Sequence, residues 1–178
     1  HRAEVSWQES PGAESYQVEI VAENGLTLPV QTTQSTSLTL DDLSADTSYT
    51  LTLTALQGDS QSDPAQLTVK TLPISVGTVT GAEAVVSEEN PLEYTISWQP
   101  YQTVETNADG SVPTVSYALY ESTKEDVGYQ LVNGDLTETS RTLTGTKELC
   151  RRYYKVCPVL TVDGKQFIGS LCEQPALV

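Results

Sequence analysis

The 178-residue chain has no methionine, one histidine, one phenylalanine, two tryptophans and three cysteines, and only nine basic side chains against twenty-four acidic ones. Each scarcity excludes something. With His1 at the terminus as the sole imidazole, a His-ligated zinc site is ruled out, and a nucleophilic role for Cys150 lacks an imidazole placed to activate it. With a formal charge of −15 and a pI near 4.2, no basic face exists to release phosphate counterions. Nucleic acid and anionic lipid are therefore poor partners. No apolar run approaches the roughly 20 residues that a bilayer-crossing helix needs, so direct membrane insertion is not expected. A start methionine, a basic-then-apolar leader and a small-residue cleavage site are also missing, and His1 reads as an internal cut or a mature end.

What is present is a phrase used twice. Val5-Ser6-Trp7-Gln8 followed by Ser15-Tyr16-Gln17-Val18 returns as Ile96-Ser97-Trp98-Gln99 followed by Ser116-Tyr117-Ala118-Leu119. Apolar and polar residues alternate around one Trp, the period of a strand with one buried face. The repeat sets the domain count at two, with boundaries at 1–72 and 73–178, and each part is acidic: Arg2 and Lys70 face ten acids in the first, and seven bases face fourteen in the second. An apolar content of 38% is enough for two sandwich cores that bury alternate residues.

Alternating runs predict strands over 2–8, 15–22, 26–30, 36–40, 48–56 and 65–71, then over 74–84, 92–99, 115–121, 129–132, 140–143, 153–162 and 167–173. Turn chemistry separates them, as in Ser10-Pro11-Gly12, Glu23-Asn24-Gly25 and Gly58-Asp59-Ser60. Leu72-Pro73 closes the first module, since proline cannot donate to a ladder. No helical period competes, and the fold class is all-β, two immunoglobulin-like sandwiches in tandem.

These residues resemble fibronectin type III domains over essentially the whole chain. The Trp lies on the second strand with a Tyr opening the third, and no cysteine pair bridges the sheets as it does in antibody domains. Leu43-Ser44-Ala45-Asp46-Thr47-Ser48-Tyr49 looks like the family's tyrosine corner; in the second module Tyr153 and Tyr154 both fit that role. The first module starts about four residues ahead of its Trp strand, so the family's opening strand is not among these residues. The expectation is a fragment of a longer protein, the alternative being a strand donated by a neighbouring subunit.

The three cysteines, Cys150, Cys157 and Cys172, all lie in the second module. If the loop of the last hairpin is Asp163-Gly164-Lys165-Gln166, Val162 faces Phe167 and Cys157 falls opposite Cys172, where a disulfide can close. Tyr154, Val156, Pro158, Leu160, Val162, Phe167 and Leu171 then share the core face, and the bridge sits on the outer one, implying an oxidising compartment. Cys150 is left unpaired or bonded to something outside these residues, another chain included.

From Trp98 to Tyr117 the chain takes ten more residues than from Trp7 to Tyr16. Within this insertion Glu105-x-Asn107-x-Asp109-Gly110-x-Val112 resembles the first two thirds of a calcium loop, although position one is Glu and position twelve is Ser116. Two readings stand: a polar loop closing on an Asp-Gly turn, or a calcium site. The family topology implies that this loop faces the first module, where Asp41, Asp42 and Asp46 lie on the corner loop and could share such a cation. Tyr101, Tyr153 and Lys165 form a candidate interaction surface, for protein or carbohydrate.

These features make a non-catalytic extracellular pair of modules the leading expectation: a spacer, adhesion or protein-interaction segment of a secreted or cell-surface protein. The alternatives are accessory domains of a secreted polysaccharide-acting enzyme, and a receptor-type ectodomain that binds protein through interdomain loops. No catalytic residue is assigned, because adjacent acids such as Asp41 with Asp42 or Glu88 with Glu89 point to opposite sides of an extended chain.

Overall fold

The structure is a computed structural model and describes residues 1–145 and 151–178. All of its regular elements are strands, and the chain divides into two compact units, His1–Ile74 and Ser75–Val178.

In the first unit β1 (Ala3–Ser6) pairs with β4 (Ser37–Leu40), forming a two-stranded sheet in which Val5 opposes Leu38. The facing sheet is built on β2 (Ser15–Ala22) and β5 (Ser48–Gln57). Outside β2 lies β3 (Gln31–Thr33), and outside β5 lie β6 (Ser60–Gln61) and β7 (Ala65–Lys70). Val18, Ile20, Tyr49 and Leu51 alternate inward from β2 and β5 and meet Val5 and Leu40 across the gap. The strand expected over 26–30 is instead a loop with an isolated Val21–Thr27 bridge, and pairing with β2 resumes at Gln31. Pro29 sits at that break and has no N–H to donate.

In the second unit β8 (Glu83–Val86), β9 (Glu93–Ser97) and β12 (Ser140–Thr144) form a three-stranded sheet with β9 central. Against it lies a sheet of β10 (Thr114–Ser122), β11 (Gln130–Leu136), β13 (Tyr153–Val162) and β14 (Lys165–Ile168), with β15 (Ala176–Leu177) pairing the start of β13. Ile96, Leu119, Tyr154 and Val156 are fully buried between the two sheets.

The repeated phrase is one repeated geometry. Trp7 and Tyr16 meet edge to face at 5.4 Å and 65°, and Trp98 and Tyr117 do so at 5.5 Å and 65°. In each unit the Tyr Oη accepts a backbone N–H three residues beyond the Trp: Ser10 to Tyr16 at 2.9 Å, Tyr101 to Tyr117 at 3.0 Å. A buried Tyr hydroxyl needs a partner, and one at the exit of the Trp strand fixes where the following loop begins, whatever its length. The corner also forms as expected, with Ser44 N–H donating to Tyr49 Oη at 2.8 Å.

The last hairpin departs from the expected register. Asp163 and Gly164 have φ of 49° and 77°, the left-handed pair of a two-residue type I′ turn, so Val162 faces Lys165 and Leu160, not Val162, faces Phe167. The ladder then breaks beyond Ile168. Gly169 N–H bonds Pro158 O, Ser170 N–H turns to Gly77 O, and Cys172 N–H returns to Val156 O, one residue out of step with β14. That offset reverses the faces: Leu171 is exposed and Cys172 joins the core cluster with Tyr154 and Val156, while Cys157 packs with Ala118 and Val159 in a separate cluster. Cys157 and Cys172 are accordingly both free thiols, not the expected disulfide. Burial pushes both thiols above the usual cysteine range, which keeps them protonated. The expectation for Cys150 lies outside the described residues.

Candidate functional site

The inserted loop, residues 100–113, is fastened at three points of the second unit. Tyr101 N–H is held by Tyr117, and Tyr101 Oη in turn accepts Gly77 N–H at 3.1 Å. Farther along, Asn107 and Asp163 exchange bonds: Asp163 N–H donates to Asn107 Oδ1 at 2.9 Å, and Ala108 N–H donates to Asp163 Oδ1 at 2.8 Å. The turn between β13 and β14 is therefore clamped to the loop.

Inside the loop the oxygens that matched a calcium pattern cap its own backbone. Asn107 accepts from Asp163 and its amide donates to Ser111 Oγ, and Asp109 Oδ1 accepts Ser111 N–H at 2.9 Å. Hydrogen bonds from Ser111 hold the Asp109 carboxyl below the usual carboxylate range. Glu105 is half-buried, its N–H capped by Thr103 Oγ1. Among the described residues no three His, Cys, Asp or Glu side chains gather as a metal site. Of the acids in the first unit, Asp46 lies 2.7 Å from Lys70 Nζ and Asp41 lies 3.8 Å from Arg2 Nε. Asp42 and Asp46 hold left-handed backbone angles of 58° and 44°, a role in turning the chain.

Among the polar residues that the loop turns outward, such as Gln102, Thr106 and Asp109, stand two large apolar ones. Val104 and Val112 are 97% and 82% exposed on a loop whose base is fixed. Tyr101 is half-buried at that base, and Lys165 lies just beyond the clamped turn. Tyr153 does not join them. It begins β13, nine residues from Val162, so it sits about 30 Å away at the strand's far end. Nothing in the sequence pairs Asn107 with Asp163 except that both precede or begin Gly turns; the exposed valines could have been found as apolar residues stranded in a polar loop.

At the far end of β13 lies a polar chain that the sequence did not signal. Tyr154 Oη donates to Glu121 Oε2 at 3.0 Å and lies 2.6 Å from Tyr94 Oη, while Arg152 Nη1 donates to Glu121 Oε1 at 3.0 Å. The single Tyr154 proton goes to the carboxylate, so Tyr94 is the donor to Tyr154. This joins β9 of one sheet to β10 and β13 of the other, the link a disulfide makes in antibody domains. Burial first, then these bonds, raise the Tyr154 hydroxyl well above the tyrosine range. Between the two candidates for a second corner, Tyr154 is the core residue, and its hydroxyl serves this bridge.

The family model and one two-domain structure agree with this architecture. The model of the Fibronectin type III domain family matches residues 1–70. A two fibronectin type-III domain segment from chicken tenascin aligns with 99% of this chain and 91% of its own at a TM-score of 0.54 and 20% identity. An Fn3-like protein from Clostridium thermocellum, 21% identical, covers 58% of this chain and 92% of its own at a TM-score of 0.40. With its Trp–Tyr pair and tyrosine corner, the first unit belongs to the fibronectin type III family, and the chain as a whole has the fold of two such domains in tandem.

Proposed function

We propose that residues 1–178 form a non-catalytic spacer and protein-interaction segment of a larger secreted or cell-surface protein. The observation that carries this reading is the repeated Trp–Tyr geometry, which in each of two separately cored units ties the start of the loop after the Trp strand to that unit's own core. Several side chains that could do chemistry serve that scaffold: Asp163 and Asn107 clamp a loop, Glu121 binds Tyr154 and Arg152, and the buried thiols stay protonated. Stiff modules with exposed apolar loop tips suit display and spacing, and modules of this family serve generally as spacers or protein-interaction units. Exchange of the pair, within its parent protein, for an unrelated β-sandwich pair of equal length tests the interaction half. Loss of a binding activity on exchange, restored by the native pair, supports it; hydrolytic turnover that depends on a side chain within 1–178 contradicts the whole reading.

A further inference from the structure

The two units present the same sheet face in different chemistry. Tyr16 opposite Ala55 in the first unit matches Tyr117 opposite Pro158 in the second, and counting from those pairs aligns β2 with β10 and β5 with β13. On the outward side the first unit carries Gln17, Glu19, Thr52 and Thr54. At the same four places the second carries Ala118, Tyr120, Lys155 and Cys157. Tyr120 packs on Ala118, Cys157 and Val159 as a small apolar cluster on the outside of the sheet, separate from the core. The flanking strands extend it: Leu131 lies opposite Tyr120 and is 59% exposed, and Ile168 lies opposite Val159 and is 68% exposed. The matched strands have neighbours on both sides in each unit, so the contrast comes from the side chains and not from where the chain begins or ends. Charge singles out the same face. The second unit has fourteen acids, yet β10 and β13 hold one, Glu121, which turns inward to Tyr154, and one base, Lys155. Among the described residues Lys155 forms no ion pair; its Nζ lies 5.3 Å from the centroid of the Tyr129 ring. A tyrosine-rich surface poor in charge is the composition of an interface centre, not of a solvated sheet.

We propose that the outward face of β10, β13 and β14 is a docking surface for a partner polypeptide that presents apolar side chains around one carboxylate, with the carboxylate meeting Lys155. Charge complementarity fixes the second half of that description, because Lys155 is the one cation of the central strands and has no acid beside it. A second copy fits poorly, since two such faces brought together offer each Lys155 another lysine and no acid, on chains of −15 each. Aliphatic Leu131 and Ile168 at the rim, and a Tyr129 ring already covered by Lys155 on one side, suit side chains better than sugar rings. With about 4.8 Å between strands and about 3.4 Å per residue, the face measures about 14 Å by 27 Å, roughly half of one partner's share of a standard interface. It therefore suits a short segment held weakly. This rests on the interaction half of the proposed function and gives it a place, whereas the spacer half stands without it.

A phage-displayed library of random twelve-residue peptides, panned on the full chain and counter-panned on the full chain carrying Lys155→Glu and Ile168→Asp, tests this. Enriched peptides are expected to carry aliphatic or aromatic residues around one Asp or Glu. In synthetic form such a peptide should shift amides of the 15N-labelled full chain at residues 116–120, 155–159 and 166–168, and leave the matched residues 17–19 and 52–54 unmoved. Lys155→Glu alone should weaken it at least fivefold and bind the same peptide with lysine in place of its acid, a rescue that an unfolded variant cannot give. Ile168→Asp should weaken both. No peptide that distinguishes the two chains, shifts confined to other residues, or an affinity indifferent to Lys155→Glu overturns the proposal. So does a chain that dimerises through residues 155–168, which assigns the face to a second copy, or one that binds cellohexaose there and no peptide, which assigns it to carbohydrate. A longer form of the protein whose added residues cover the face and exclude the peptide likewise overturns the partner assignment. If exchange of the whole pair abolishes a binding activity that Lys155→Glu and Ile168→Asp leave intact, the interaction reading stands and this face falls.

Discussion

Tyr154→Phe removes one oxygen from the buried bridge of the second unit and leaves the ring in place. Glu121 Oε2 loses a hydrogen bond of 3.0 Å and Tyr94 Oη loses its 2.6 Å acceptor. A bond to a charged group contributes about 1.5–3 kcal/mol, and an orphaned buried hydroxyl costs about 1–3 kcal/mol, but Glu121 keeps Arg152 and part of its hydration. The expected loss is about 2–4 kcal/mol. The double substitution Tyr94→Phe/Tyr154→Phe should cost less than the two single ones together, because replacing both partners leaves no orphan between the rings. Each unit carries one tryptophan, so the two indole N–H resonances followed through a urea titration report the units separately. With a denaturant slope of about 1–2 kcal/mol per molar urea, the Trp98 midpoint should fall by about 1–4 M while that of Trp7 stays. A Trp98 shift under about 0.3 M, or equal shifts of both, would refute the claim that this chain of hydroxyls and carboxylate ties the sheets.

Alkaline pH tests the same bridge. Burial raises the Tyr154 hydroxyl above its ordinary range and Tyr129 to about 12, helped by nearby Cys172, Asp126 and Glu125. A raised thiol or phenol ionises first in the unfolded chain, so stability of the second unit should begin to fall above about pH 8.5 through Cys157 and Cys172 and more steeply above about pH 10 through the tyrosines, by up to about 1.4 kcal/mol per pH unit for each such group; Tyr154→Phe should flatten the steeper part in urea midpoints taken at pH 8, 9.5 and 11. Gly169→Ala should destabilise the second unit by about 1–3 kcal/mol, because an added Cβ would meet the Gly77 carbonyl oxygen and Pro158 Cγ, and the Trp98 midpoint should report it. Asn107→Ala releases the loop clamp: amide exchange at Ala108 and Asp163 should quicken by at least fivefold, with global stability changed by about 1 kcal/mol or less.

The parts of this fold legible in the sequence are those set by short-range chemistry. Trp7 with Tyr16, Trp98 with Tyr117 and the Tyr49 corner could be read because each sits in a short phrase whose Tyr closes one hydrogen bond, even though the loop after Trp98 is ten residues longer than the one after Trp7. The last hairpin was misread through its turn. Asp163-Gly164 alone makes the turn, and placing Lys165 and Gln166 in the loop moved every partner beyond it by two residues. The second misreading, at Cys172, has a tertiary cause, because Ser170 leaves β13 to bond Gly77, nearly a hundred residues earlier. No local pattern records such a contact. The same holds for Glu121, which looks like an ordinary solvent-facing strand acid until Arg152 and Tyr154 are placed beside it. At Asn107 and Asp109 two readings stood side by side in the sequence for the opposite reason, since oxygens that can ligate a cation serve equally well to cap a turn, as these do.

The central claim is that two separately cored sandwiches share this chain, and stretching a single molecule between its ends tests it most directly. Two unfolding events are expected, releasing about 260 Å for the 74 residues of His1–Ile74 and about 360 Å for the 104 residues of Ser75–Val178, each less the length of the folded unit. Tyr154→Phe should lower the force of the longer release alone. One event releasing the whole length at once would contradict the account.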